Sequence, residues 1–157
     1  MLFLRRSNFL VLINGMTQLR KTYWRRQLEP ERSALRSGAA GVSFPCAAER
    51  FATKRLNLRP TMIWEDAVDA TRGERRYEIR QRRKGDSKAF ERLDTTKFDL
   101  LVVCVWTIGQ GRGGVYLKFQ CKIITAQAIA NAGTAKLNAL LSAAPTRFSG
   151  KAMQLRR

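Results

Sequence analysis

The chain has 157 residues, 30 of them Lys or Arg and 12 Asp or Glu, which gives a formal charge of +18 with no histidine anywhere. That length suits one domain, and the charge points to a polyanionic partner. Nucleic acid stands ahead of a membrane, because the basic residues are mixed with acids rather than arrayed along one amphipathic helix. With no histidine and three cysteines that lack CxxC spacing, a zinc finger, a Cys-His nucleophile pair and a Ser-His-Asp triad are excluded.

Residues 1–28 contain six basic residues and no acid and form a basic N-terminal arm or helix. Their apolar stretch from Phe9 to Ile13 is too short to span a bilayer. It also lacks a small-residue cleavage site for secretion, while an acid-poor targeting segment stays open. The expected location is cytoplasmic or nucleoid-associated.

After Pro30 the composition predicts a short helix, a turn at Gly38 and Gly41, and a second helix over Cys46–Leu56 with Pro45 at its start. "TMIWEDAVDA" then enters a hairpin through a turn at Thr71, Arg72 and Gly73. In "GERRYEIRQRRKGD" the alternation sets Tyr77, Ile79 and Gln81 on one face of a strand and Glu78, Arg80 and Arg82 on the other.

The polar stretch 87–97 has no period and is expected to be a loop. "KFDLLVVCVW", residues 97–106, is an apolar, β-branched run expected to form a strand buried on both faces, with Cys104 as a small core hydrophobe. "TIGQGRGG" is a hairpin turn: it lacks the GK[ST] ending of a phosphate loop and precedes a strand, "VYLKFQCKII". A helix capped by Thr125 and weakened at Gly133 runs to Pro145, and the basic tail 146–157 is expected to fray. The elements predict an α/β domain over 29–145 with a mixed sheet of about four strands flanked by helices.

Every acid lies between Glu29 and Asp99. Metal-assisted cleavage of a phosphodiester needs carboxylates around a divalent cation and a positive side chain near the phosphate. Glu78 and Arg80, two apart on a strand, supply one carboxylate and one cation on the same face, and "WEDAVD" upstream offers Glu65, Asp66 and Asp69. From about residue 31 to residue 142 this pattern resembles the PD-(D/E)xK nuclease superfamily, including its small homing-endonuclease-related members. That resemblance implies a restriction-endonuclease-like fold and Mg²⁺-dependent endonuclease activity. Asp66 and Glu78 would be the metal ligands, with Glu65 and Asp69 as alternates. Arg80 would stand where the family has Lys, and Glu49 on the preceding helix would be an additional acid.

Two departures are visible. No Pro-Asp dipeptide is present, and Arg is larger, planar and permanently protonated where Lys approaches a water. An inactive relative and a non-enzymatic basic DNA- or RNA-binding protein are therefore the alternatives. Arg82, Arg83 and Lys84 would position the nucleic-acid backbone, DNA ahead of RNA, and a homodimer would serve a double-strand cut. A second placement, Asp99 with Gln120 and Lys122, keeps the Lys but leaves "WEDAVD" without a role. Trp64 and Trp106 are expected in the core rather than against bases.

Overall fold

A computed structural model describes residues 24–25, 27–38, 41–61 and 68–156. Helix α1 covers 27–37, with residues 24 and 25 also helical, and α2 spans Pro45–Leu56. The α2 sequence follows the expected form: Pro45 opens it where a missing N–H costs nothing, and Asn57 closes it in the left-handed region at φ 52°. No side chain from its own cap serves the first turn of α2. The carboxylate of Glu31 on α1 does so instead, both oxygens accepting from the Ala47 N–H at 3.2 Å.

Six strands form one sheet in the order of the sequence: β1 Arg59–Pro60, β2 Ala70–Arg72, β3 Arg75–Arg83, β4 Leu100–Gly111, β5 Gly114–Thr125 and β6 Phe148–Leu155. All neighbours are antiparallel except β3 and β4, which run parallel from Tyr77↔Leu100 to Arg83↔Trp106. Between β5 and β6 lie α3 Ala126–Ala132, a 3₁₀ turn Thr134–Lys136 and α4 Leu137–Ala143. Thr125 caps α3 by accepting the Ala128 N–H at 3.1 Å, and Gly133, at φ 87°, separates it from the turn.

β4 is apolar on both sides because both of its faces are covered. Val102, Cys104 and Trp106 pack with Leu28 and Leu35 of α1 and Ala48 and Ala52 of α2. Leu101 and Val103 pack with Ile129 of α3 and Leu137 and Leu141 of α4. The molecule is thus layered helix, sheet, helix, and Cys104 and Cys121 sit fully buried in it as cross-strand neighbours.

Three expectations need correction. The sheet has six strands rather than about four, because the two-residue pairing β1 and the strand β6, which lies in the expected tail, add to it. The tail is no frayed end: Phe148–Leu155 alternates enough to bury Met153, and it pairs with β5. The boundary at residue 28 falls inside a helix, where Leu28 is part of the core, so the domain begins earlier. Among the described residues no helix is long and apolar enough to cross a membrane.

Candidate functional site

The site arises where the sheet splits. β2 and β3 pair only from Arg72↔Arg75 to Ala70↔Tyr77 around a tight turn at Gly73–Glu74. Beyond that point the chain of β2 turns to β1, and the Asp69 carbonyl accepts the Thr61 N–H at 2.9 Å. The Thr61 hydroxyl also donates to the Val68 carbonyl. Ile79 on β3 is left without a strand partner for its N–H, and the Asp69 carboxylate takes that bond at 2.7 Å. Asp69 is thereby fixed beside Glu78.

Glu49 reaches the same place from α2. A cleft of about 530 Å³ is lined by Glu49, Asp69, Glu78 and Arg80, with Asp86 and Lys88 of the β3–β4 connection on its far wall. The acids feel one another. Burial, followed by the charges of Asp69, Glu31 and Glu78, pushes the Glu49 carboxyl up to about 8. Burial and the charge of Glu78 push Asp69 up to about 6, against the opposing pull of the Ile79 N–H and Arg80. Burial likewise raises Glu31, outweighing its bonds to the α2 amides.

Arg80 is the cation of the cleft and lies on Glu78. Its Nε donates to Glu78 Oε1 at 2.8 Å and its Nη2 stands 2.7 Å from the same oxygen, in a pair only partly exposed. Among the described residues both contacts fall on Glu78 Oε1, and a carboxylate has acceptor capacity beyond them. On the opposite face of β3, Gln81 Oε1 accepts from Trp106 Nε1 at 2.7 Å and from the Phe44 N–H at 3.4 Å, which ties that face to β4 and to the start of α2.

The remaining predicted residues divide. Glu65, Asp66 and Trp64 lie outside the described residues. The hairpin acid that meets Glu78 among the described ones is Asp69. Arg82 is half-buried and its guanidinium is tied to the chain rather than free for a phosphate. It donates to the carbonyls of Asp86 (3.4 Å) and Lys88 (3.1 Å) and to Asn138 Oδ1 (2.8 Å), and stacks 4.1 Å over Phe90. Those bonds hold the β3–β4 connection as a wall of the cleft. Arg83 and Lys84 are exposed just beyond it.

The placement built on Asp99, Gln120 and Lys122 is not assembled. Leu100 pairs with Thr125 whereas Gln120 pairs with Val105 in the middle of the β4–β5 ladder, six residues along the chain from Asp99, so the two are not brought together. Asp99 is bound to Arg76 at 3.2 Å, which holds its carboxyl below the usual range, and Lys122 Nζ donates to the Leu141 carbonyl at 2.6 Å. A Gly-rich turn was expected to bring them together; the two-residue turn at Arg112 and Gly113 instead extends both strands and fixes the register.

Three charged residues of the cleft gave no sequence signal of their role: Asp86, Lys88 and Glu91. Among the described residues no group of three or more acidic or cysteine side chains is gathered tightly enough to hold a metal ion by itself. Compared with known proteins, the chain matches no protein-family model, no curated protein and no solved structure.

Proposed function

We propose that the cleft is the site of a metal-dependent endonuclease of restriction-endonuclease-like architecture, hydrolysing a phosphodiester of nucleic acid, DNA ahead of RNA. The observation that carries this reading is the meeting of Glu49, Asp69, Glu78 and Arg80 at the split between β2 and β3. Mg²⁺ takes oxygen ligands and is held by one or two protein carboxylates, the rest of its shell being water and substrate phosphate. Asp69 and Glu78 fit that requirement. Their buried excess of negative charge, expressed in the raised carboxyls of Asp69 and Glu49, is what a cation would relieve.

When bound, the metal supplies an activated water and stabilises the leaving oxygen. Asp69 and Glu78 would hold it, Glu49 carries a proton at neutral pH at the margin of the cleft, and Arg80 would offset the charge growing on the phosphate. Arg83 and Lys84 meet the flanking backbone.

A plasmid nicking assay with Mg²⁺ or Mn²⁺ tests this. The wild-type chain nicks supercoiled DNA, and Asp69→Asn and Glu78→Gln each lower the rate by about a hundredfold or more, the scale of a lost charge-stabilising group. Metal-dependent nicking that is indifferent to both substitutions would sink the assignment. DNA binding without metal-dependent nicking in the wild type would support the second reading, a non-enzymatic nucleic-acid-binding protein, which the closure of Arg80 onto Glu78 favours.

A further inference from the structure

The cleft uses one flank of α2; the other flank carries a second groove with the opposite charge. Glu49 faces the cleft, and the next residue, Arg50, faces a groove of about 350 Å³ between α1, α2 and β6. Its cations are Arg32 of α1, Arg50, Lys54 and Arg55 of α2 and Lys151 of β6, and among the described residues no carboxylate lines it. All five are exposed. The spacing is helical: Ala47, Arg50, Phe51, Lys54 and Arg55 fall on one face of α2.

Two of the cations are held in place. Arg55 donates to the Ser149 carbonyl at 2.9 Å and stands 5.6 Å from the rings of both Phe51 and Phe148, while Lys151 lies 4.4 Å over Tyr116. Arg32, Arg50 and Lys54 have no ion-pair partner among the described residues. Glu31, the nearest acid along α1, is buried and occupied with the Ala47 N–H. Residues 1–28 contain no acid at all, so the N-terminal segment cannot neutralise the groove. Like charges gathered without a counter-charge disfavour the fold unless an outside anion meets them.

Between the cations the floor is apolar, made by Leu28, Ala47, Phe51 and Met153. A duplex offers phosphates on a convex surface with its bases stacked inside. An unpaired strand can set a base or sugar on an apolar floor while its phosphates meet a charged rim. We infer that this groove binds a single-stranded segment of nucleic acid, on the flank of α2 opposite the acidic cleft. The inference goes beyond the proposed nuclease activity and shares with it only the class of partner.

The test is fluorescence anisotropy with a labelled oligothymidylate of roughly 12 nucleotides, within the usual site size for single-strand grooves, and with a duplex of the same length, in EDTA so that no cleavage intervenes. Arg50→Ala/Lys54→Ala weakens single-strand binding at least tenfold and makes the salt dependence shallower by about 1.4, two contacts at ~0.7 each. Both side chains are exposed, so the melting temperature does not fall; Lys97→Ala/Lys136→Ala, two exposed cations that line neither the groove nor the cleft, is the charge-matched control and leaves most of the single-strand affinity. Unchanged affinity and slope in the groove variant overturn the inference, as does duplex binding as tight as single-strand binding. Asp69-dependent nicking together with unchanged single-strand affinity in Arg50→Ala/Lys54→Ala sinks the groove alone; groove-dependent single-strand binding in a wild-type chain that shows no metal-dependent nicking sinks the nuclease reading alone.

Discussion

At the scale of single residues the cleft turns on Arg80. A Lys at this position would present a compact ammonium on a flexible stem; Arg80 presents a planar fork that folds back onto Glu78 at 2.7 Å. That pairing competes with any cation for Glu78 and keeps the guanidinium from approaching a water closely. Arg80→Lys is therefore expected to raise metal-dependent nicking by about tenfold, while Arg80→Ala lowers it by about a hundredfold, the lower end of the ~10²–10⁴ that a positioned charge or proton-transfer group contributes. The rates are compared at saturating Mg²⁺ in the plasmid assay. A slower Arg80→Lys enzyme would mean that the fork itself stabilises the phosphate. Glu78 and Arg80 were legible in the sequence because period-2 alternation places them on one face. Asp69 was legible only as an alternate: a turn centred on Arg72 sets position 66 opposite Glu78, whereas the observed turn at Gly73–Glu74 sets position 69 there. A shift of one to two residues in the turn moves the partner by three, and single-sequence turn signals are not that sharp.

At the scale of elements, the strongly patterned segments were legible and the weakly patterned ones were not. α2, β3, β4, β5 and the Thr125 cap follow from Pro45, from alternation, from the β-branched run and from Gly133. β6 did not, because "FSGKAMQL" buries only Met153 fully and its exposed positions carry the polar residues of an edge strand. What makes it a strand is the free edge of β5, a tertiary fact that its own sequence does not contain. One glycine guards that edge. Gly114 opens β5 at φ 107°, and a Cβ there would come within 2.1 Å of the Leu155 carbonyl oxygen at the end of β6. Gly114→Ala thus combines a left-handed backbone with a clash against main chain that cannot swing aside, and is expected to destabilise by about 2–3 kcal/mol. For a chain of this size that lowers the melting temperature by about 5–10 °C. An unchanged melt would mean that β6 does not dock on β5 in solution.

At the scale of the whole molecule the charges are segregated. The +18 surplus coexists with a pocket where Glu49, Asp69 and Glu78 repel one another. Asp69 and Glu49 bind protons more tightly folded than unfolded, their carboxyls standing at about 6 and about 8 against ordinary values of 3.8 and 4.5. Their contribution to stability is therefore fully present below pH ~4 and is lost as pH rises through about 6 and then about 8. The chain has no histidine to add a slope of its own, and Glu31, raised by burial as well, acts with the same sign. Asp99 and Asp94 are shifted the opposite way, so their effects fall below it. The metal-free protein is expected to melt at progressively lower temperature between pH 5 and pH 9, and Glu49→Gln to flatten the upper half of that slope. Excess Mg²⁺ should restore the melting temperature at pH 8.5, where the carboxylates are ionised, and leave it unchanged at pH 5, where protons already occupy them. Differential scanning calorimetry over pH with and without Mg²⁺ measures all three. A melting temperature flat in pH would show that the acids are not buried together, and a Mg²⁺ effect as large at pH 5 as at pH 8.5 would place the ion somewhere other than this cleft.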